Sequence, residues 1–204
     1  MLWRQTRGWK IMQIKSLSQD TEDFTGNIWL IQGSENVLID AGTGDSWKNL
    51  LELDSVDKVV ITHSHYDHVD NLPKVLDKFE PEIYSYEPEN LPVDSKKVND
   101  GDTIKLSEVD FKVIHTPGHR DDSICLYSPE EKLLFAGDLI FPQGSFGRTD
   151  LEEGDRDLLI NSIEKITELD VDKMYCGHDP AAVEKVNQQI KKSLQEAKKK
   201  QPKY

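Results

Sequence analysis

The stretch ITHSHYDHVDN, residues 61–71, carries three of the chain's six histidines and two aspartates. It grows out of DKVVIT (57–62), a β-branched run that reads as a buried strand. The polar cluster therefore begins where a strand ends. His63 and His65 are two positions apart, and in extended backbone such residues project to the same side, so both imidazoles can converge on one ion. Asp67 and His68 follow where the chain is expected to turn into a helix. Being adjacent, they point elsewhere and could hold a second ion. Imidazole with carboxylate is a donor set suited to zinc, iron or manganese.

Further donors recur in the same kind of place. His119 in TPGHRDDS follows the strand-like FKVIH, Asp138 in FAGD ends the next hairpin, and His178 in CGHDP ends the last predicted strand. Each adjoins or follows a glycine, which lets backbone turn sharply and approach closely. Strand ends gathered at one edge of a sheet are where α/β proteins commonly place their chemistry. The sixth histidine, His115, sits inside its strand and reads as a partly buried structural residue.

Around these motifs the chain alternates strands and helices. NIWLIQG and NVLIDAG, joined by Gly33-Ser34-Glu35, form a hairpin signal. DNLPKVLDKF has apolar residues at helical spacing and EIYSY is strand-like; DTIKL, VDFKVIHT, SICLYS and KLLFAGD follow as a series of strands. Residues 155–169 place Leu158, Leu159, Ile163, Ile166 and Leu169 on one helical face. After DKMYCG, a last short strand, Asp179-Pro180 is expected to open a final helix with Asp at the cap, its stripe being Val183, Val186, Ile190, Leu194 and Ala197. The expectation is a layered α/β protein. Residues 1–11 are expected to be a poorly ordered extension before a single domain over 12–204.

Composition narrows the function classes. A net charge of −13 disfavours nucleic acid as a partner. No apolar run approaches the length of a membrane span, and MLWRQTRGWKIMQIKSL lacks the continuous apolar core of a signal peptide. Two cysteines, Cys125 and Cys176, fit a reduced compartment without a disulfide framework. The expected location is cytoplasmic. No Gly-x-Ser-x-Gly elbow, P-loop or Gly-x-Gly-x-x-Gly competes for the chemistry.

THSHYDH, HTPGH, AGD and GHDP, in this order and together with LIDAG, resemble the metallo-β-lactamase superfamily over about residues 12–200. The resemblance implies an αββα sandwich, two mixed sheets with helices on the outer faces and a metal site along one edge. Carried over position by position, it implies that His63, His65 and His119 bind a first metal, Asp67, His68 and His178 a second, and that Asp138 bridges them. Asp40 is a candidate for orienting a ligand histidine. FPQGSFGRTDLEEGD resembles the branch containing hydroxyacylglutathione hydrolases (glyoxalase II) and persulfide dioxygenases. Two departures bear on glutathione. The sequence stops after one C-terminal helix where glyoxalase II has a helical domain, and Arg120-Asp121-Asp122 follows TPGH where relatives often have a second threonine.

The expected reaction is hydrolysis of a small-molecule thioester or ester by water activated between two divalent metal ions, zinc first and iron or manganese next, with Asp67 and Asp138 as the carboxylates at the reacting centre. Arg148 is the candidate for gripping a substrate carboxylate, against the plainer reading that it ties its own loop to Asp150. Phe141 and Phe146 are candidates for an apolar wall. The alternative reaction is that of a mononuclear iron persulfide dioxygenase.

Overall fold

The computed structural model describes residues 12–199, so the expected extension over 1–11 lies outside the described residues. The first sheet runs in chain order: β1 (Gln13–Ser16), β2 (Trp29–Gln32), β3 (Asn36–Ile39), β4 (Lys58–Val60), β5 (Glu82–Ser85) and β6 (Lys96–Lys97). β1 to β3 pair antiparallel, and β3 to β6 parallel. β7 (Thr103–Leu106), β8 (Val109–His115), β9 (Ile124–Ser128) and β10 (Leu133–Gly137) form an antiparallel meander in the second sheet. The small hairpin of β11 (Ile140–Phe141) and β12 (Ser145–Phe146) leaves that sheet, and β13 (Lys173–Cys176) returns to it parallel to β10.

The alternation of side chains along these strands explains the layering. Trp29, Ile31, Val37, Ile39 and Val60 of the first sheet pack with Phe111, Val113, Ile124, Leu126, Leu133 and Phe135 of the second in one buried cluster. The residues between them are apolar too, so both faces of each sheet need cover. Leu30, Leu38 and Val59 pack against Leu50 of α1 (Trp47–Leu50) and Leu72 and Val75 of α3 (Leu72–Phe79). Cys125, Tyr127, Leu134 and Ala136 pack against Leu159, Ile163 and Ile166 of α4 (Arg156–Thr167) and Val186 and Ile190 of α5 (Val186–Lys198). Between α1 and α3 the single-turn α2 (Tyr66–Val69) follows β4. The result is the αββα sandwich.

Two helical expectations need correction. Leu158 is 44% exposed, because its neighbour Leu159 takes the inward position and adjacent helical residues cannot share one narrow face. The last helix begins at Val186 rather than at Asp179-Pro180. Asp179 adopts a left-handed φ of 66°, and Ala182 exchanges both backbone hydrogen bonds with Met174, each 2.9 Å. This segment therefore continues as an extended strip beside β13, and Val183, expected in the stripe, is 61% exposed. Backbone pairing has overridden a good capping signal.

Candidate metal centre

The donors lie where β4, β8, β10 and β13 end. His63 and His65 leave β4, and His65 is the extended residue preceding α2, whose single turn carries Asp67 and His68. His119 lies in the turn after β8, Asp138 directly after β10 and His178 two residues after β13. A backbone bond from Ile124 N–H to the Thr62 carbonyl, 2.8 Å, ties the two sheets together beside the first pair.

The structure brings all seven donors together. His63, His65 and His119 form one group and Asp67, His68 and His178 another, with His63, His68 and Asp138 linking them; within each group the donor atoms lie within 4.8 Å of one another. His65 Nδ1 is 3.1 Å from His63 Nε2 and 2.9 Å from His119 Nε2. In the other group His178 Nε2 is 3.3 Å and His68 Nε2 3.7 Å from Asp67 Oδ2. Asp138 reaches both: its Oδ2 is 3.4 Å from Nε2 of His119 and of His178, and its Oδ1 is 3.6 Å from His68 Nε2. A tetrahedral ion bonded at roughly 2.0–2.1 Å keeps its donors about 3.3 Å apart, so this spacing fits metal ligation. His68 Nε2 and Asp138 Oδ1 are also buried without a hydrogen-bond partner. Buried polar atoms in that state fit the ligands of an ion held between them.

Hydrogen bonds on the far side of the rings set which nitrogen is free. Asp40, buried after β3, accepts from His68 Nδ1 at 2.8 Å and from the Thr62 hydroxyl at 2.8 Å and backbone N–H at 2.7 Å. Because Thr62 donates to Asp40, its oxygen is left to accept from His63 Nδ1, 3.1 Å away. His119 Nδ1 donates to the Arg148 carbonyl at 2.8 Å. All three rings thereby turn Nε2 toward the centre, with their tautomers assigned from these partners. Asp40 thus braces His68 directly and His63 through Thr62.

Charge follows the same division. Burial holds His63 well below the ordinary histidine range, and burial with the nearby His119 and Arg120 pushes His65 down to about 4. Burial disfavours a charged His68 as well, but Asp40 and Asp138 outweigh it and raise its pKa to about 9. His178 rises to about 10 against the same burial penalty, through Asp138 and Asp67. Burial alone would raise Asp138, yet His68, His178 and His63 lower it.

The remaining candidates divide. The Arg148 guanidinium is exposed and held by both carboxylate oxygens of Asp150, at 2.8 and 2.7 Å, which is the plainer of its two expected roles. His115 lies apart from the seven, stacked on Tyr86 and bonded through Nε2 to the Asp121 carbonyl. Phe141 stands 6.0 Å from His178, ring to ring, while Phe146 packs on the α4/α5 layer under Arg156. Phe24 was not foreseen: it is 68% exposed and stacked on His178. A lone aromatic in a polar loop carries no periodic signal by which it could have been found. Cys125 and Cys176 are buried and take no part in either group.

A family model for the metallo-beta-lactamase superfamily matches residues 21–178. A hydroxyacylglutathione hydrolase of Francisella tularensis subsp. novicida is 38% identical over 134 residues, 65% of this chain and 52% of that protein. Another, from Aliivibrio fischeri, is 33% identical over 179 residues, 84% of this chain and 68% of the relative. The chain thus spans between about half and two thirds of the length of these curated relatives. Among solved structures, the BLEG-1 B3 metallo-beta-lactamase superposes with a TM-score of 0.72 at 26% identity, covering 90% of this chain and 97% of that one.

Proposed function

Because this chain belongs to the metallo-beta-lactamase superfamily, we propose that it is a metal-dependent hydrolase that cleaves a small-molecule thioester, or a related ester, in the manner of the hydroxyacylglutathione hydrolases it resembles. The observation that carries this reading is the pair of donor groups sharing Asp138. We assign His63, His65 and His119 to one ion, Asp67, His68 and His178 to a second, and Asp138 to both, with zinc the first choice for five imidazoles and two carboxylates. Bound there, divalent ions supply a water that ionises near neutral pH and a Lewis acid for a carbonyl oxygen.

The chain's own part is to hold the donors in place. Asp40, Thr62 and the Arg148 carbonyl accept from the outer nitrogen of three rings, so Nε2 faces inward; His68, its pKa raised to about 9, must give up its Nε2 proton before it ligates. Burial keeps His63 neutral, the state in which imidazole ligates. Asp138, buried and ionised, supplies negative charge where cations would sit. Asp150 takes Nε and one Nη2 hydrogen of Arg148, so the proposed grip on a substrate carboxylate would use the remaining Nη donors. Because the persulfide dioxygenase branch keeps much the same donor pattern, the two readings are separated by the reaction catalysed.

The test is hydrolysis of a hydroxyacyl thioester of glutathione, and of a simple acyl thioester, by metal-loaded protein. His68→Ala and His178→Ala should each lower kcat by at least about a hundred-fold, an effect expected when a metal-activated water is lost. Oxygen uptake with a glutathione persulfide, with no thioester cleavage, would overturn the proposal in favour of a dioxygenase.

A further inference from the structure

The loop between β1 and β2 supplies no donor to either group, yet its contacts fall on every member of one. The Gly26 N–H donates to the Asp67 carbonyl at 2.9 Å. Gly26 also lies flat against the His68 ring, where an added Cβ would stand 2.7 Å from both Cε1 and Nε2. Asn27 braces the backbone on both sides of His178. Its N–H donates to the Gly177 carbonyl at 2.6 Å, and its Nδ2 donates to the carbonyls of Cys176 at 3.0 Å and Asp179 at 2.8 Å. Ser18 donates to Asn27 Oδ1 at 3.0 Å, which fixes the way round the amide sits. Phe24 completes the set, its ring 5.1 Å from that of His178 and inclined by 21°.

We propose that the segment Phe24–Asn27 is the mould of the second metal site: it sets the positions of Asp67, His68 and His178, and so decides whether that site holds an ion, separately from the first. This rests on the metal-centre reading above. A donor displaced by about an ångström no longer ligates well, so a site is only as good as the packing behind it. His68 is held between Asp40, which fixes its rotation, and Gly26, which fixes its depth. His178 is held by Asn27 through the backbone and by Phe24 through the ring. The first group leans on other elements. His63 rests on Thr62, and His119 on the Arg148 carbonyl. Ser64, between His63 and His65, is tied to Asp122 and Arg120. A change in the β1–β2 loop should therefore weaken one site and spare its neighbour. Gly26 and Asn27 are positioning residues, touching neither substrate nor reacting atoms.

The test titrates metal-free full-length protein with Co²⁺, following uptake by equilibrium dialysis and coordination by visible absorption, in the parent, Gly26→Ala, Asn27→Asp, Asn27→Ala and, as a second-site control, His178→Ala. The parent should take up about two ions. Each loop variant should keep one ion at parental affinity and bind the other about 10–100-fold more weakly, the range for loss of a supporting partner. The spectrum of the retained ion should match that of His178→Ala. Asn27→Asp keeps the side chain's size while removing both Nδ2 donors, and metal-free melting temperatures close to the parent's show that the loss is local. Variants that keep both ions at parental affinity, or that lose both in step, overturn the inference. A parent that takes up no ion overturns the metal-centre reading beneath it.

Discussion

Asp40 shows how much of the candidate centre depends on residues that donate nothing to a metal. Its carboxylate accepts from His68, from Thr62 backbone and from the Thr62 hydroxyl that in turn faces His63. Asp40→Ala strips a partner from each of these buried donors, and metal affinity should fall about 10–100-fold. Competition against a chromophoric chelator measures it; unchanged affinity would remove Asp40 from the account. The protonation pattern makes a second prediction. His68 and His178 rise from 6.5 to about 9 and about 10 in the folded, metal-free chain. A group whose folded pKa is raised stabilises the fold fully below its unfolded value and loses that contribution as pH climbs through the folded one. Metal-free protein should therefore melt at a lower temperature at pH 9.5 than at pH 7, whereas loaded protein should lose metal, and its stabilising effect, on acidification. A metal-free melting temperature that does not fall over that interval contradicts the assignment. The seven donors were legible in sequence because ligation demands particular residue types at strand ends. Phe24, Gly26 and Asn27 were not, since their roles arise from contacts with Asp67, His68 and His178, up to about 150 residues away along the chain.

Individual elements follow the periodicity of the chain wherever a face is buried, and depart from it where it is not. Leu158 and Ile163 occupy the same predicted stripe of α4, but Ile163 is fully buried and Leu158 faces solvent. Ile163→Ala should cost about 2–5 kcal/mol, as for a large aliphatic side chain in a packed core. Leu158→Ala should stay within about 0.5 kcal/mol. Denaturant unfolding of both variants checks this, and comparable losses would contradict the packing of α4 on the second sheet. Asp155 caps the same helix, its carboxylate accepting from Leu158 N–H at 2.9 Å. Asp179-Pro180 carries an equally good signal and starts no helix, because Ala182 finds a backbone partner in Met174. Local propensity was outbid by a pairing that no local pattern records.

For the whole molecule, two sheets buried on both faces bring the ends of β4, β8, β10 and β13 to one edge, and this is what turns dispersed residues into a centre. The strand and helix pattern pointed only to a layered α/β protein; the sandwich was implied by the family resemblance that the motif order carries, and the three buried clusters between and outside the sheets agree with it. No helix among the described residues is long and apolar enough to cross a membrane. The central claim is that two donor groups sharing Asp138 act together in hydrolysis, and the most direct measurement is the rate of thioester cleavage as metal is added back to stripped protein. The account predicts that little activity accompanies the first equivalent and that the rate climbs to a plateau at about two ions per chain, the stoichiometry of a two-metal site. Full activity at one equivalent, or none at any loading, would contradict it.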